Sequence, residues 1–170
     1  ARLGRQLRGD RMRQAFLREL EMTYTERRSA DDERPLVEID GARSGDTTVT
    51  YDKGGWVFWM LMNHLGQERM DKGLQAFIGK FKDGPDYPLL QDLVETLRPF
   101  AADQKAYDAF VDQWFFDIVV PEFKVVSAET TPPAQAGEPW ITRVRVCNIG
   151  TGTVPLEVAV TNGEDRWPAP

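Results

Sequence analysis

Thr47-Thr48-Val49-Thr50-Tyr51-Asp52-Lys53-Gly54-Gly55-Trp56-Val57-Phe58-Trp59-Met60-Leu61-Met62 is the stretch whose reading decides the fold. From Tyr51 it reads as a helix. Because Trp56 through Met62 is apolar on every side, that helix is expected to be enclosed by other elements rather than half exposed. The run is far too short to span a bilayer, and Leu65-Gly66 ends it, so it reads as the interior of a packed domain.

Working outward, Met12, Phe16, Leu20 and Tyr24 recur at every fourth position and predict an amphipathic helix over residues 8–27. Between it and Thr50, Asp31-Asp32-Glu33-Arg34-Pro35 and Asp40-Gly41 break the period, leaving Leu36, Val37 and Ile39 as an apolar anchor within a connector. Downstream, the stripe Met70, Leu74, Phe77, Ile78 and Phe81 predicts a third helix, stopped by Asp83-Gly84-Pro85-Asp86. Leu89, Leu90, Leu93, Val94 and Leu97 make a fourth. Tyr107, Phe110, Val111, Trp114 and Ile118 make a fifth, with Asp103 as its N-cap.

After Pro121 the period changes to that of strands. Phe123-Lys124-Val125-Val126 is followed by Trp140, Thr142, Val144 and Val146 alternating with Arg143 and Arg145. Val154, Leu156, Val158 and Val160 then alternate with Pro155, Glu157, Ala159 and Thr161, and Asn148-Ile149-Gly150-Thr151-Gly152 between the last two runs has hairpin-turn chemistry. The chain is therefore expected to be α+β, with residues 1–120 forming a helical unit and residues 121–170 the start of a β-sandwich. A sandwich needs a second sheet over its inner face, so this one reads as truncated.

Nine Phe, five Trp and four Tyr supply enough apolar area for a real core and exclude a disordered reading. A formal net charge of -6 gives no global attraction for phosphate backbones or anionic lipid heads. Arg2, Arg5, Arg8, Arg11, Arg13 and Arg18 are a local exception, with only Asp10 as counter-charge before Glu19; they are read as a solvated helix face, and no nucleic-acid partner is expected. Cys147 and His64 are the only residues of their kinds, which excludes an intrachain disulfide and a cluster of nitrogen or sulfur ligands. The start at Ala1 without an initiating Met, and the end at Trp167-Pro168-Ala169-Pro170, are read as cuts from a longer protein, of which this piece is expected to be soluble.

Taken residue by residue, Tyr51-Asp52-Lys53-Gly54-Gly55 has a plain structural reading. Tyr51 is then an amphipathic helix-entry residue, Lys53 a surface charge, and the glycines permit close helix packing. In order, however, Tyr51-Asp52-Lys53-Gly54, the apolar helix with Leu65-Gly66, the Met70–Phe81 helix, Asp92-Leu93, Gln113-Trp114 and Pro121 before strands form a set. From Tyr51 to Val126 that set resembles, in order and spacing, the part of the alanyl aminopeptidase family of zinc metallopeptidases that lies downstream of the zinc site. Residues 1–50 are similar in pattern to the family's helix and loop before its tyrosine. Gly84-Pro85-Asp86-Tyr87-Pro88 and Trp114-Phe115-Phe116-Asp117-Ile118-Val119-Val120-Pro121 look most like bacterial members fused to a transporter-like membrane region. One departure is Val119-Val120-Pro121, where many members carry a glycine shortly before the proline.

The resemblance implies a thermolysin-like catalytic domain in which zinc is held by the two histidines of a His-Glu-x-x-His helix and a downstream glutamate. None of these ligands is in the sequence; zinc belongs to the parent protein, and His64 has no Glu-x-x-His partner. Carried over by position, Tyr51 is the catalytic residue, donating a hydrogen bond to the oxyanion formed when water attacks the peptide carbonyl. A phenol suits that role because it stays protonated at neutral pH. Lys53 and Gly54 position the helix start, with Lys53 paired to a carboxylate elsewhere in the domain. The implied partners are a peptide substrate and the upstream catalytic half of the same polypeptide, with a membrane tether in the parent. The implied function is removal of N-terminal residues from peptides, the piece alone being inactive; the alternative is a non-catalytic interaction module or a pseudo-peptidase segment.

Overall fold

Five helices of two turns or more follow one another: α1 (Arg2–Arg27), α2 (Gly54–Leu65), α3 (Gln67–Phe81), α4 (Leu90–Leu97) and α5 (Gln104–Phe115). The computed structural model describes residues 2–29, 33–85, 87–135, 137–156, 158–161 and 166–168, with side chains described between residues 12 and 161. Helices and antiparallel strands are segregated along the chain, so the protein is α+β, and it divides into two compact units, Ala1–Ile118 and Val119–Pro170.

In the first unit the helices begin and end where local chemistry dictates. Gly66, at φ 82, closes α2 with a bond from its N–H to the Met62 carbonyl and lets α3 start at once. The Asp92 carboxylate takes the Leu89 N–H at 2.7 Å to cap α4, and the Asp103 carboxylate takes the Ala106 N–H at 3.0 Å to cap α5. The core is assembled from Val57, Leu61 and Leu65 of α2, Met70 of α3, Leu93, Val94 and Leu97 of α4, and Tyr107, Val111, Trp114 and Phe115 of α5, all buried. The Tyr107 hydroxyl donates to the Val94 carbonyl at 2.8 Å, satisfying the one polar atom this ring brings inside, and burial pushes its phenol up. At the surface Arg98 grips Asp108 with two parallel bonds, Nε to Oδ1 and Nη2 to Oδ2, each 2.7 Å.

Two expectations for this unit are corrected. The α2 helix is not enclosed: Val57, Leu61 and Leu65 line one deeply buried face, while Trp56, Phe58, Trp59, Met60 and Met62 are only partly covered. Its neighbours α1, α3 and α5 leave part of its circumference uncovered. Likewise the apolar repeat on α1 is only half used. Leu17 is buried and Leu20 and Tyr24 are partly so, whereas Met12 is 68% and Phe16 59% exposed, because α1 packs against α2 and the turn before it through its C-terminal half.

In the second unit, β1 (Phe123–Thr131) pairs antiparallel with β2 (Ile141–Asn148), from Phe123 opposite Asn148 to Thr131 opposite Ile141, with a bulge between Val125 and Ser127. A second short ladder joins β3 (Ala159–Thr161) to β4 (Arg166–Pro168). Among the described residues no ladder joins β2 across residues 148–152 to the run that follows, so the hairpin expected there is not seen, and β2 has β1 as its partner. The turn instead folds back on the chain entering β1: the Ile149 N–H reaches the Glu122 carbonyl at 2.7 Å and the Thr151 N–H the Val120 carbonyl at 3.0 Å. Glycine is required there, since a Cβ on Gly150 would lie 2.2 Å from the Val120 oxygen. Strand β1 runs on through Thr130-Thr131, and of the alternating run from Val154 to Thr161 only Ala159–Thr161 is strand among the described residues.

Gly73 and Gly79 of α3 give a contrasting test of this packing. A Cβ at Gly73 would sit 2.4 Å from Leu97 Cδ2, while one at Gly79 meets nothing within 4 Å. Gly73→Ala is expected to destabilise the chain by about 1–3 kcal/mol through overpacking, and Gly79→Ala to stabilise it by up to about 1 kcal/mol through helix propensity, both read from urea unfolding midpoints.

Candidate functional site

Tyr51 does not stand on regular α-helix. A single turn, Asp46–Thr48, leads into a π-helical segment, Val49–Lys53, before α2 begins at Gly54, and the Gly54 N–H reaches back to the Val49 carbonyl with the five-residue spacing of a π turn. Such insertions are rare in helices and cluster at functional positions. Thr48, Val49 and Lys53 of this segment are buried, and Tyr51, on the other face, is 71% exposed. Its hydroxyl makes no hydrogen bond among the described residues, so only the backbone that carries the ring is held in place.

That backbone is fixed by buried charge. The Lys53 side chain is 5% and the Glu33 side chain 1% exposed, and Lys53 Nζ lies 2.6 Å from Glu33 Oε1. The Tyr24 hydroxyl is 2.8 and 2.9 Å from the two Glu33 oxygens, and Arg28 Nε donates to Oε2. Burial alone would raise the Glu33 carboxyl, but the hydrogen bonds from Lys53 and Tyr24, with the charges around it, outweigh that and hold it below its ordinary value. The Tyr24 phenol is pushed up, first by burial and then by its bond to Glu33. A cavity of about 10 Å³ lined by Arg28, Ser29, Glu33, Gly45, Thr48 and Val49 has room for at most one water, so the network is a structural joint and not a ligand pocket.

The next residue along the loop makes a second joint. Arg34 Nη2 is 2.7 Å from Asp46 Oδ2 and 2.9 Å from Asp40 Oδ1. Asp46, buried at the first position of the lead-in turn, also takes the Arg43 N–H at 3.2 Å. The hydrogen bond from Arg34, and then that from the Ala42 N–H, pull the exposed Asp40 carboxyl down to about 2.

Of the residues singled out by sequence, Tyr51, Lys53 and Gly54 thus lie on one continuous segment. Lys53 is not a surface charge, and the carboxylate it pairs with is Glu33 of this chain. A Cβ at Gly54 would make only ordinary contacts, 3.5 Å from the Val49 oxygen, whereas one at Gly55 would come 2.9 Å from Leu20 Cδ1; the glycine that allows close approach to α1 is therefore Gly55. Trp56 adds to the same contact, its Nε1 donating to the Leu17 carbonyl at 2.8 Å. Sequence reasoning missed Glu33, Tyr24, Arg28, Arg34 and Asp46. Glu33 and Arg34 sit in a charged, turn-like stretch with no local mark of burial.

His64 lies apart from this segment's charges and stacks on Phe110, with ring centroids 5.3 Å apart. Among the described residues no group of three or more His, Cys, Asp or Glu side chains is arranged to hold a metal ion, so those residues do not by themselves make a zinc site. No helix among them is long and apolar enough to cross a membrane. Compared with known proteins, the chain matches no family model, no curated protein and no solved structure.

Removing one partner of a buried ion pair strands the other charge, so Glu33→Gln and Lys53→Met are each expected to cost about 3–5 kcal/mol in urea unfolding at neutral pH. The pH dependence has a definite sign. Because the folded Glu33 carboxyl titrates below its ordinary 4.5, its contribution is complete above that value and is lost as pH falls through the folded pKa. Wild type should lose this part of its stability below pH 4.5, and Glu33→Gln should not.

Proposed function

We propose that this chain is part of a zinc-dependent aminopeptidase similar to the alanyl aminopeptidases, an enzyme that removes N-terminal residues from peptides, and that it supplies Tyr51 as the donor that stabilises the oxyanion. The observation that carries this reading is the exposed hydroxyl of Tyr51, without a partner among the described residues, on a π turn whose other face is buried and locked by charge. Anchoring the backbone that carries the phenol limits where its hydroxyl can reach and leaves that hydroxyl free to donate to a group that approaches from outside, as stabilisation of a developing oxyanion requires. Tyr51 is the catalytic residue; Lys53 and Gly54 belong to the helix start that positions it.

In this reading residues 1–120 are the distal helical part of a thermolysin-like domain and residues 121–170 begin a β-sandwich. The zinc ligands and the substrate amine site lie in the upstream part of the same polypeptide, and this chain alone is inactive. Support comes from the large side chains left uncovered. Met12, Phe16 and Met22 on α1, and Val125, Val126, Trp140 and Ile141 around the β1–β2 ladder, are more than a third exposed, as expected where further elements belong. The same uncovered surface also favours a second reading, a non-catalytic interaction module or pseudo-peptidase segment.

The two readings separate on hydrolysis of aminoacyl fluorogenic substrates by the full-length polypeptide, with bound zinc measured in parallel. Tyr51→Phe is expected to lower kcat by about a hundredfold to a thousandfold with zinc retained, the usual effect of deleting one oxyanion donor. Equal turnover in the two proteins, or none in wild type, would remove the catalytic reading and leave the interaction module.

A further inference from the structure

We propose that Glu33 and Arg34, adjacent in the connecting loop, are positioning residues that hold the Tyr51 segment from its two ends and so set the pose of the phenol. The proposal deepens the reading of Tyr51 as oxyanion donor and rests on it for its catalytic consequence; its mechanical part stands on geometry alone.

Glu33 takes Lys53 at the last position of the π turn, Nζ to Oε1 2.6 Å, and Arg34 takes Asp46 at the first position of the lead-in, Nη2 to Oδ2 2.7 Å. At about 1.5 Å of rise per residue, those two anchor points are on the order of 10 Å apart along the helix axis, a span that two neighbouring side chains bridge by reaching in opposite directions. The order of charge admits one arrangement. Exchanging partners would set Glu33 against Asp46 and Arg34 against Lys53, two like-charged pairs in surroundings where all four side chains are at least 87% buried. The clamp therefore specifies register as well as proximity. Between the anchors, Thr48 and Val49 are buried and Tyr51 is not, and the Tyr51 hydroxyl has no partner of its own among the described residues. Nothing in the ring's own contacts corrects a shift of the turn beneath it, so loosening either anchor reaches the phenol directly. Tyr24 and Arg28 complete the Glu33 end by occupying the carboxylate lone pairs that Lys53 leaves free.

The test uses variants at opposite ends, Glu33→Gln and Arg34→Met, so that one decides if the other fails to fold. In this chain, hydrogen exchange is followed at the amides of Val49–Lys53 and, as an internal reference, at those of α4. Either variant is expected to raise exchange in Val49–Lys53 by about tenfold or more and to make it outpace α4, whose rise reports the global loss of stability alone, the pattern of local opening. In the full-length polypeptide kcat is expected to fall by up to about a hundredfold, as for a misplaced catalytic group, with KM and bound zinc little changed. Lys53→Arg, which keeps the charge, should recover most of the kcat that Lys53→Met loses. Exchange in Val49–Lys53 that is unchanged, or that does not outpace α4, overturns the clamp. A kcat that survives an opened turn overturns its catalytic role. An inactive wild type would instead remove the reading of Tyr51, and exchange would still decide whether the clamp exists.

Discussion

The buried pair between Lys53 and Glu33 is the constraint on which the rest of the site depends. Two charges taken from water at 5% and 1% exposure are tolerable only when paired and hydrogen bonded, and here both carboxylate oxygens are occupied. Satisfying that requirement draws the loop after α1 against the start of α2 and brings Tyr24 and Arg28 from the end of the α1 segment into the same joint. It leaves the helix entry in a π turn with its buried face committed. The exposed face is then free for Tyr51 to present a polar group from an anchored backbone.

Much of the helical framework was legible because its signal is local. Leu93, Val94 and Leu97 of one expected stripe, and Tyr107, Val111 and Trp114 of the next, are buried in α4 and α5, whereas α2, apolar on every side in the sequence, buries only the face of Val57, Leu61 and Leu65. Asp103 is the cap that its position suggested. Period alone does not say whether a partner exists, which is why Met12 and Phe16 continue the α1 repeat yet stay exposed. The first two expected strands form, but the hairpin expected between the later runs does not, for a related reason. Asn148-Ile149-Gly150-Thr151-Gly152 has the chemistry of a tight reversal, but what such a turn pairs with is decided at long range, and here it bonds to residues 120 and 122.

Only one segment of the candidate site was legible. Tyr51, Lys53 and Gly54 were marked by their order along the chain, whereas Glu33 and Arg34 looked like solvated loop charges, as most charges in such stretches are. An ion pair across twenty residues of sequence leaves no period and no spacing rule behind. The division of labour follows from this. One residue faces outward and carries the proposed chemistry, and several buried ones, silent in the sequence, hold it in place.

The most direct measurement is a crystal structure of the full-length polypeptide with a phosphinic peptide, whose tetrahedral oxygens mimic the oxyanion. With Tyr51 as the donor, its hydroxyl will lie about 2.5–3.0 Å from one of those oxygens, with the Lys53–Glu33 pair intact beneath it. A bound analogue with the Tyr51 hydroxyl in solvent, or more than one hydrogen-bond length from every inhibitor oxygen, would contradict the assignment.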